Sequence, residues 1–292
     1  MKIGISSYSY NQLMSSGEMT LEDIIKQTAE FGFDAIEFSG LHYCPEGETP
    51  ASYAPTVKSL CADAGLPIAS YTIGADFLRG SDGDLAKEID RVKAEVDIAV
   101  ALGVPCMRHD ATRGFPEGTQ VAQSFADCLP RVSEGIRAVT EYAKTGGVKT
   151  TVENHGFFCQ DADRVESLIC AVDHENFGVL FDVGNFLCAD EDPTIAAGKL
   201  APYVFHLHAK DFHVISGSSF APGEGWFKSR AGNYLRGAII GHGNVPIKQA
   251  IQVIKDSGYD GICSIEFEGI ECPLKGIRIG RDNLQRIIES LD

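Results

Sequence analysis

Two periods of hydrophobicity take turns along this chain. Segment 21–32 carries Leu21, Ile24, Ile25 and Ala29 at helical spacing, with Thr20 in position to cap the first turn. Segment 85–103 is apolar at Leu85, Ile89, Val92, Val96, Ala99 and Val100, a period of about 3.6, and stops at Gly103. Between such stretches lie short runs rich in β-branched and aromatic residues, the signature of strands. Strands are expected at 2–8, 33–39, 66–74, 104–110, 148–156, 177–186, 203–212 and 261–269. Helices are expected at 21–32, 56–65, 85–103, about 121–145, 162–172, 193–201, 247–257 and 277–291. Strand then helix, eight times over, is the order of a (β/α)8 TIM barrel, and 292 residues suit one barrel of about 250. No composition shift, charge run or linker marks a second domain, so residues 1–292 are read as one.

One connection breaks the tight spacing. Residues 212–243, between the seventh strand and seventh helix, are rich in Gly, Ser and aromatics and contain Trp226, the only tryptophan. Long connections of this kind are usually functional. Gly217, Gly223, Gly225 and Gly232 permit hinges, while Phe220, Trp226, Phe227 and Tyr234 suit a lid that excludes water or an oligomer contact. Two junctions, FGFDAIEF (31–38) and SGYDGICSIEF (257–267), resemble each other and hint at a repeated unit.

The chemistry gathers at strand ends. Glu153, Asp182, His208 and Glu266 close four separate strand runs, and in a parallel barrel the carboxyl ends converge on one face. Three carboxylates and an imidazole make a divalent metal site, favouring Mn²⁺, Mg²⁺, Co²⁺ or Fe²⁺, with Zn²⁺ less well matched. Alternation along a strand puts Val204, His206 and His208 on one face, and Ser264, Glu266 and Glu268 on another. His206 is read as packing or support for the ligands. A cation here can hold a carbonyl oxygen and its neighbouring hydroxyl and so stabilise an enediolate. Glu153 and Glu266, three strands apart on a ring of eight, are then the catalytic acid/base pair. Arg108, His109 and Asp110 form either an ion-paired turn or a substrate contact, and His42 and His242 are read as surface residues.

Composition narrows the partners. With 25 basic and 41 acidic residues the formal net charge is −16, which disfavours nucleic acid. Nine cysteines without CxxC spacing read as buried thiols of a reducing cytosol. No signal-peptide pattern and no apolar run of about 20 residues appear, so a cytoplasmic location without membrane contact is expected.

VENHG (152–156), FDVGN (181–185), HLHAKD (206–211), GHGNVP (241–246) and GYDGICSIEFEG (258–269) resemble the motifs of the xylose-isomerase-like TIM barrels, the superfamily of sugar (phosphate) isomerases and epimerases and of apurinic-site endonucleases. The resemblance spans nearly the whole chain. It implies one divalent metal ion, Mn²⁺ first, on Glu153, Asp182, His208 and Glu266, and a small carbohydrate substrate. His155 matches a substrate-contacting position, and Asn185 stands where related ketose 3-epimerases have a histidine; an amide cannot titrate. Arg108, His109, Lys210 and Trp226 complete the expected substrate contacts. Lys210, Lys228, Arg230 and Arg236 near the long connection form no phosphate cradle, so an unphosphorylated substrate is expected. The expected function is a metal-dependent isomerase or epimerase, possible homo-oligomer; the alternatives are a lyase of the keto-inositol or dehydroshikimate dehydratase type and a non-catalytic sugar- or partner-binding barrel.

Overall fold

In the computed structural model, which describes residues 1–116, 118 and 123–292, the strand runs pair side by side. They are β1 (Lys2–Ser6), β2 (Ala35–Ser39), β3 (Ile68–Ile73), β4 (Cys106–His109), β5 (Lys149–Glu153), β6 (Phe177–Asp182), β7 (Val204–Ala209), β8 (Asp211–Ile215), β9 (Phe227–Lys228), β10 (Tyr234–Ala238) and β11 (Ile262–Ile265). Eight of them are parallel and close in the order β1–β11–β7–β6–β5–β4–β3–β2. Closure needs a small residue where β1 wedges between β11 and β2. Gly4 supplies it, since a Cβ there would meet Ile262 Cγ2 at 2.7 Å and Ser264 Oγ at 2.8 Å.

The helices are α1 (Asn11–Ser15), α2 (Leu21–Glu30), α3 (Pro50–Asp63), α4 (Leu85–Leu102), α5 (Phe125–Thr145), α6 (Ala162–Val172), α7 (Pro193–Leu200), α8 (Ile247–Asp256) and α9 (Pro273–Glu289). Thr20 and Asp23 form a reciprocal capping box at the start of α2. Asp84 caps α4, which ends at Gly103 with φ 77°, the left-handed cap that glycine favours. The helix expected from about 121 begins at Phe125; residues 121 and 122 lie outside the described residues.

Each barrel strand turns one face to the helices. Ile5, Phe38, Met107, Val152, Phe181, Leu207 and Ile265 join Ile24, Val57, Val96, Ile136 and Val165 in a single buried core. The opposite face is also buried but polar: Glu37, Thr72, Arg108, Thr151, Asp182, His206, His208 and Ser264. Among the described residues no helix is long and apolar enough to cross a membrane.

The connection read as a lid or an oligomer contact carries a small sheet of its own. β8, β10 and β9 form an antiparallel three-stranded sheet in that order. The buried Asp211 ties off its base, accepting from the backbone N–H of Phe212, Gly241, Gly243 and Val245 at 2.8–3.1 Å. A Cβ at Gly243 would lie 2.1 Å from Asp211 Oδ1. The GHGN segment is therefore a clasp for the Asp211 carboxylate.

Candidate metal centre and substrate pocket

Glu153 and Asp182 end β5 and β6, His208 is the penultimate residue of β7, and Glu266 follows β11. One donor atom from each lies within 4.8 Å of the others. Neighbouring groups decide which atoms remain free. Asp182 Oδ1 accepts from the backbone N–H of Gly184 and Asn185, both at 2.8 Å, which leaves Oδ2. His208 Nε2 is 2.6 Å from Glu37 Oε1, which leaves Nδ1. Asp182 Oδ2 and His208 Nδ1 are buried without a hydrogen-bond partner. They face each other at 3.7 Å, too far for a hydrogen bond and within twice the ~2.1 Å metal–donor distance. Unpartnered buried polar atoms are costly and rare, and a shared cation removes both deficits. The set fits one divalent ion.

Asn154 secures this end of the barrel. Its amide donates to the Asp182 carbonyl and accepts from the Asp182 N–H, both at 2.9 Å. In VENHG, then, Glu153 faces the lumen and Asn154 aligns β6 beside it.

Two buried cations flank the carboxylates. Arg108 reaches Glu153 at 2.6 Å and Asp110 at 2.7 Å, and Asp110 also meets His155 Nδ1 at 2.9 Å. Lys210 Nζ lies 2.6 Å from Glu266, 3.3 Å from Glu268 and 3.5 Å from Asp182. Burial opposes charge on both, yet the facing carboxylates outweigh it and raise their proton affinity. For Asp110 burial pushes upward, but Arg108 and then His155 bring the carboxyl down to about 2. Asn185 donates to Glu153 Oε1 at 2.8 Å and accepts from Lys210 at 3.2 Å, so it joins the two halves of the site.

Glu37 was not expected. It is fully buried in the middle of β2, 2.7 Å from His206 Nε2 and 2.6 Å from His208 Nε2. Burial alone would raise its carboxyl; the two imidazoles hold it well below the usual carboxylate range. With Glu37 on Nε2, the His208 ring aims Nδ1 at the carboxylates, the arrangement that orients metal-bound histidines. The sequence carried a signal, since the IEF of 36–38 repeats at 265–267 and puts Glu37 where Glu266 stands in its own unit.

A chamber of about 200 Å³ opens above the donors, lined by Tyr8, Arg108, Glu153, His155, Glu266 and Glu268 among others. Two expected contacts lie elsewhere. His109 follows Arg108 on β4 and so faces the helices, where it sits between Phe77 and Phe177 with ring centroids at 5.4 and 6.0 Å. Burial pushes its imidazole down to about 4. Trp226 is stacked under Arg236 at 5.4 Å and does not line the chamber. A wider cavity of about 600 Å³ lies beyond Asp110, among Arg79, Arg91 and Arg113, but none of the four donors faces it.

Residues 25–290 match the family model described as xylose isomerase-like TIM barrel. The chain belongs to this family. It is 21% identical over 285 residues to the fructoselysine 3-epimerase of Escherichia coli, covering 91% of this chain and 90% of that one. It is 24% identical over 139 residues to the inosose dehydratase of Lacticaseibacillus casei, covering 47% and 46%. In structure it resembles the IOLI protein solved with a zinc atom, with TM-score 0.75, 15% identity and coverage of 100% and 99%. Related family members thus include both an epimerase and a dehydratase.

Proposed function

We propose that the chain is a divalent-metal-dependent isomerase or epimerase of a small, unphosphorylated keto-sugar or related polyol, moving a proton α to its carbonyl. The observation that carries this reading is the facing pair of buried donors without a hydrogen-bond partner, Asp182 Oδ2 and His208 Nδ1. Glu153, Asp182, His208 and Glu266 would hold the ion, and their three carboxylates favour Mn²⁺. When bound, the cation would supply Lewis-acid polarisation of the substrate carbonyl.

The chain's own residues would do the rest. Glu153 and Glu266 both line the chamber, from strands three apart around the barrel. One would remove the proton and the other return it from the opposite side. Arg108 and Asn185 hold Glu153, and Lys210 holds Glu266, so each carboxylate has a fixed direction. Asn185 orients Glu153 through its amide and does not relay a proton. His155, steadied by Asp110 and half exposed at the rim, is suited to a substrate hydroxyl.

Likeness to the epimerase over nine-tenths of the chain supports this reading, and likeness to the dehydratase across just under half of it supports a second. A dehydratase begins with the same proton and then expels a β-hydroxyl. Mn²⁺-reconstituted protein, incubated in D₂O with keto-sugars and keto-inositols and followed by proton NMR, separates the two. Deuterium entering beside the carbonyl with the skeleton retained supports the epimerase. Loss of water supports the dehydratase. No exchange into any ketone, with metal bound, contradicts both.

A further inference from the structure

A second cavity, of about 320 Å³, adjoins the chamber and shares Tyr8 and Glu268 with it. Ligand pockets usually measure about 300–1,000 Å³. The inner chamber alone falls short of that range, and the two together lie within it.

The small sheet builds the wall of this second space. Phe227 is paired with Leu235 of β10, and its ring meets the buried Phe212 ring at 5.7 Å, which holds it at the cavity while 38% exposed. β10 in turn rests on the segment carrying the site glutamates. Gly237 bridges to Gly269, and a Cβ at Gly237 would lie 2.3 Å from the Glu268 carbonyl oxygen. Phe267 and Pro273 extend the apolar lining, and the Gln12 carboxamide adds a polar edge without a hydrogen bond to the described residues. Among the described residues no lysine or arginine lines the cavity, and Glu268 stands at the junction using Oε1 for Lys210.

We propose that this cavity is a subsite for a flat apolar ring joined, through an amine or ether link, to the ketose whose reacting carbons occupy the inner chamber. The proposal rests on the reading of that chamber as a keto-sugar site. Aromatic faces suit a flat ring, the amide suits its linker, and the carboxylate at the junction disfavours a phosphate.

The test compares D-fructose, its N-benzyl-1-amino-1-deoxy conjugate and fructose 6-phosphate on Mg²⁺-loaded protein by titration calorimetry. Saturation-transfer NMR reports contact with the benzyl protons. The conjugate is expected to bind about tenfold more tightly than fructose. Phe227→Ala should cut that ratio below about threefold, Gln12→Ala should lower it partly, and far-UV circular dichroism checks the fold of both. Equal affinities, no binding of the conjugate, a ratio untouched by either variant, or preference for the phosphate overturns the subsite. Exchange in D₂O is read separately. Exchange with equal affinities retains the proposed reaction and removes the subsite; a tenfold ratio without exchange does the reverse.

Discussion

Phe181 and Asp182 are adjacent on β6 and equally buried, yet they belong to different problems. Phe181 faces outward, its ring 4.8 Å from Phe186, where only volume and contact matter. Asp182 faces the lumen, where one oxygen has its hydrogen bonds and the other has none. The outer face of the barrel holds the fold together by burying apolar surface. The inner face collects charge that water no longer screens, and it is settled only by pairing or by a cation.

The sharpest contrast comes from substitutions on either side of the wall. Phe181→Ala should lower stability by about 3–5 kcal/mol, read as a shift in the urea midpoint, while the folded protein keeps its Mn²⁺ affinity. A large loss of affinity in that variant, with the fold intact, would mean that the two faces are not independent. Glu153→Gln and Glu266→Gln should do the opposite, lowering turnover by ~10² or more with the fold retained. Bound metal must be measured alongside, since both residues are also placed as ligands. Near-normal turnover in both would move the base elsewhere, with His155 next in line.

Glu37 lies in the lumen yet would touch no substrate. Glu37→Gln keeps the shape and weakens the grip on the Nε2 atoms of His206 and His208, so Mn²⁺ affinity should fall by about 10–100-fold. Unchanged affinity would reduce Glu37 to packing. Asp110 gives the smallest effect. Its carboxyl is depressed from 3.8 to about 2 in the folded chain, so its contribution is complete above the unfolded value and disappears as pH falls toward 2. Asp110→Asn should therefore lose about 2 kcal/mol near neutral pH and flatten the acid limb of the stability profile between pH ~4 and ~2. A wild-type acid limb preserved in the variant would assign that limb to other groups.

What could be read from the sequence follows the same division. The outer face repeats at periods of two and 3.6, so strands and helices were legible, and the barrel rule then brought the four strand ends together. Lumen partnerships have no period. Glu37 meets its histidines across 169 and 171 residues, and apart from the IEF repeated at 265–267 nothing near AIEFS announces them. Alternation was available but underused, for it separates Arg108 from His109 on β4 and Trp226 from Phe227 at β9. The sheet of β8, β10 and β9 was hidden by the glycines around it: Gly217, read as a hinge, serves a close backbone approach, since a Cβ there would lie 2.5 Å from the Gly232 carbonyl oxygen.

The central claim is that the inner face is completed by one divalent ion. Elemental analysis of the purified protein, with melting temperature followed through chelation and Mn²⁺ return, tests it directly. The account predicts about one ion per chain, a fall of several degrees in excess chelator and recovery on adding Mn²⁺, with Asp182→Asn and His208→Ala blind to both treatments. A melting temperature indifferent to chelator, with no metal in the protein, would mean that Arg108 and Lys210 alone satisfy the carboxylates.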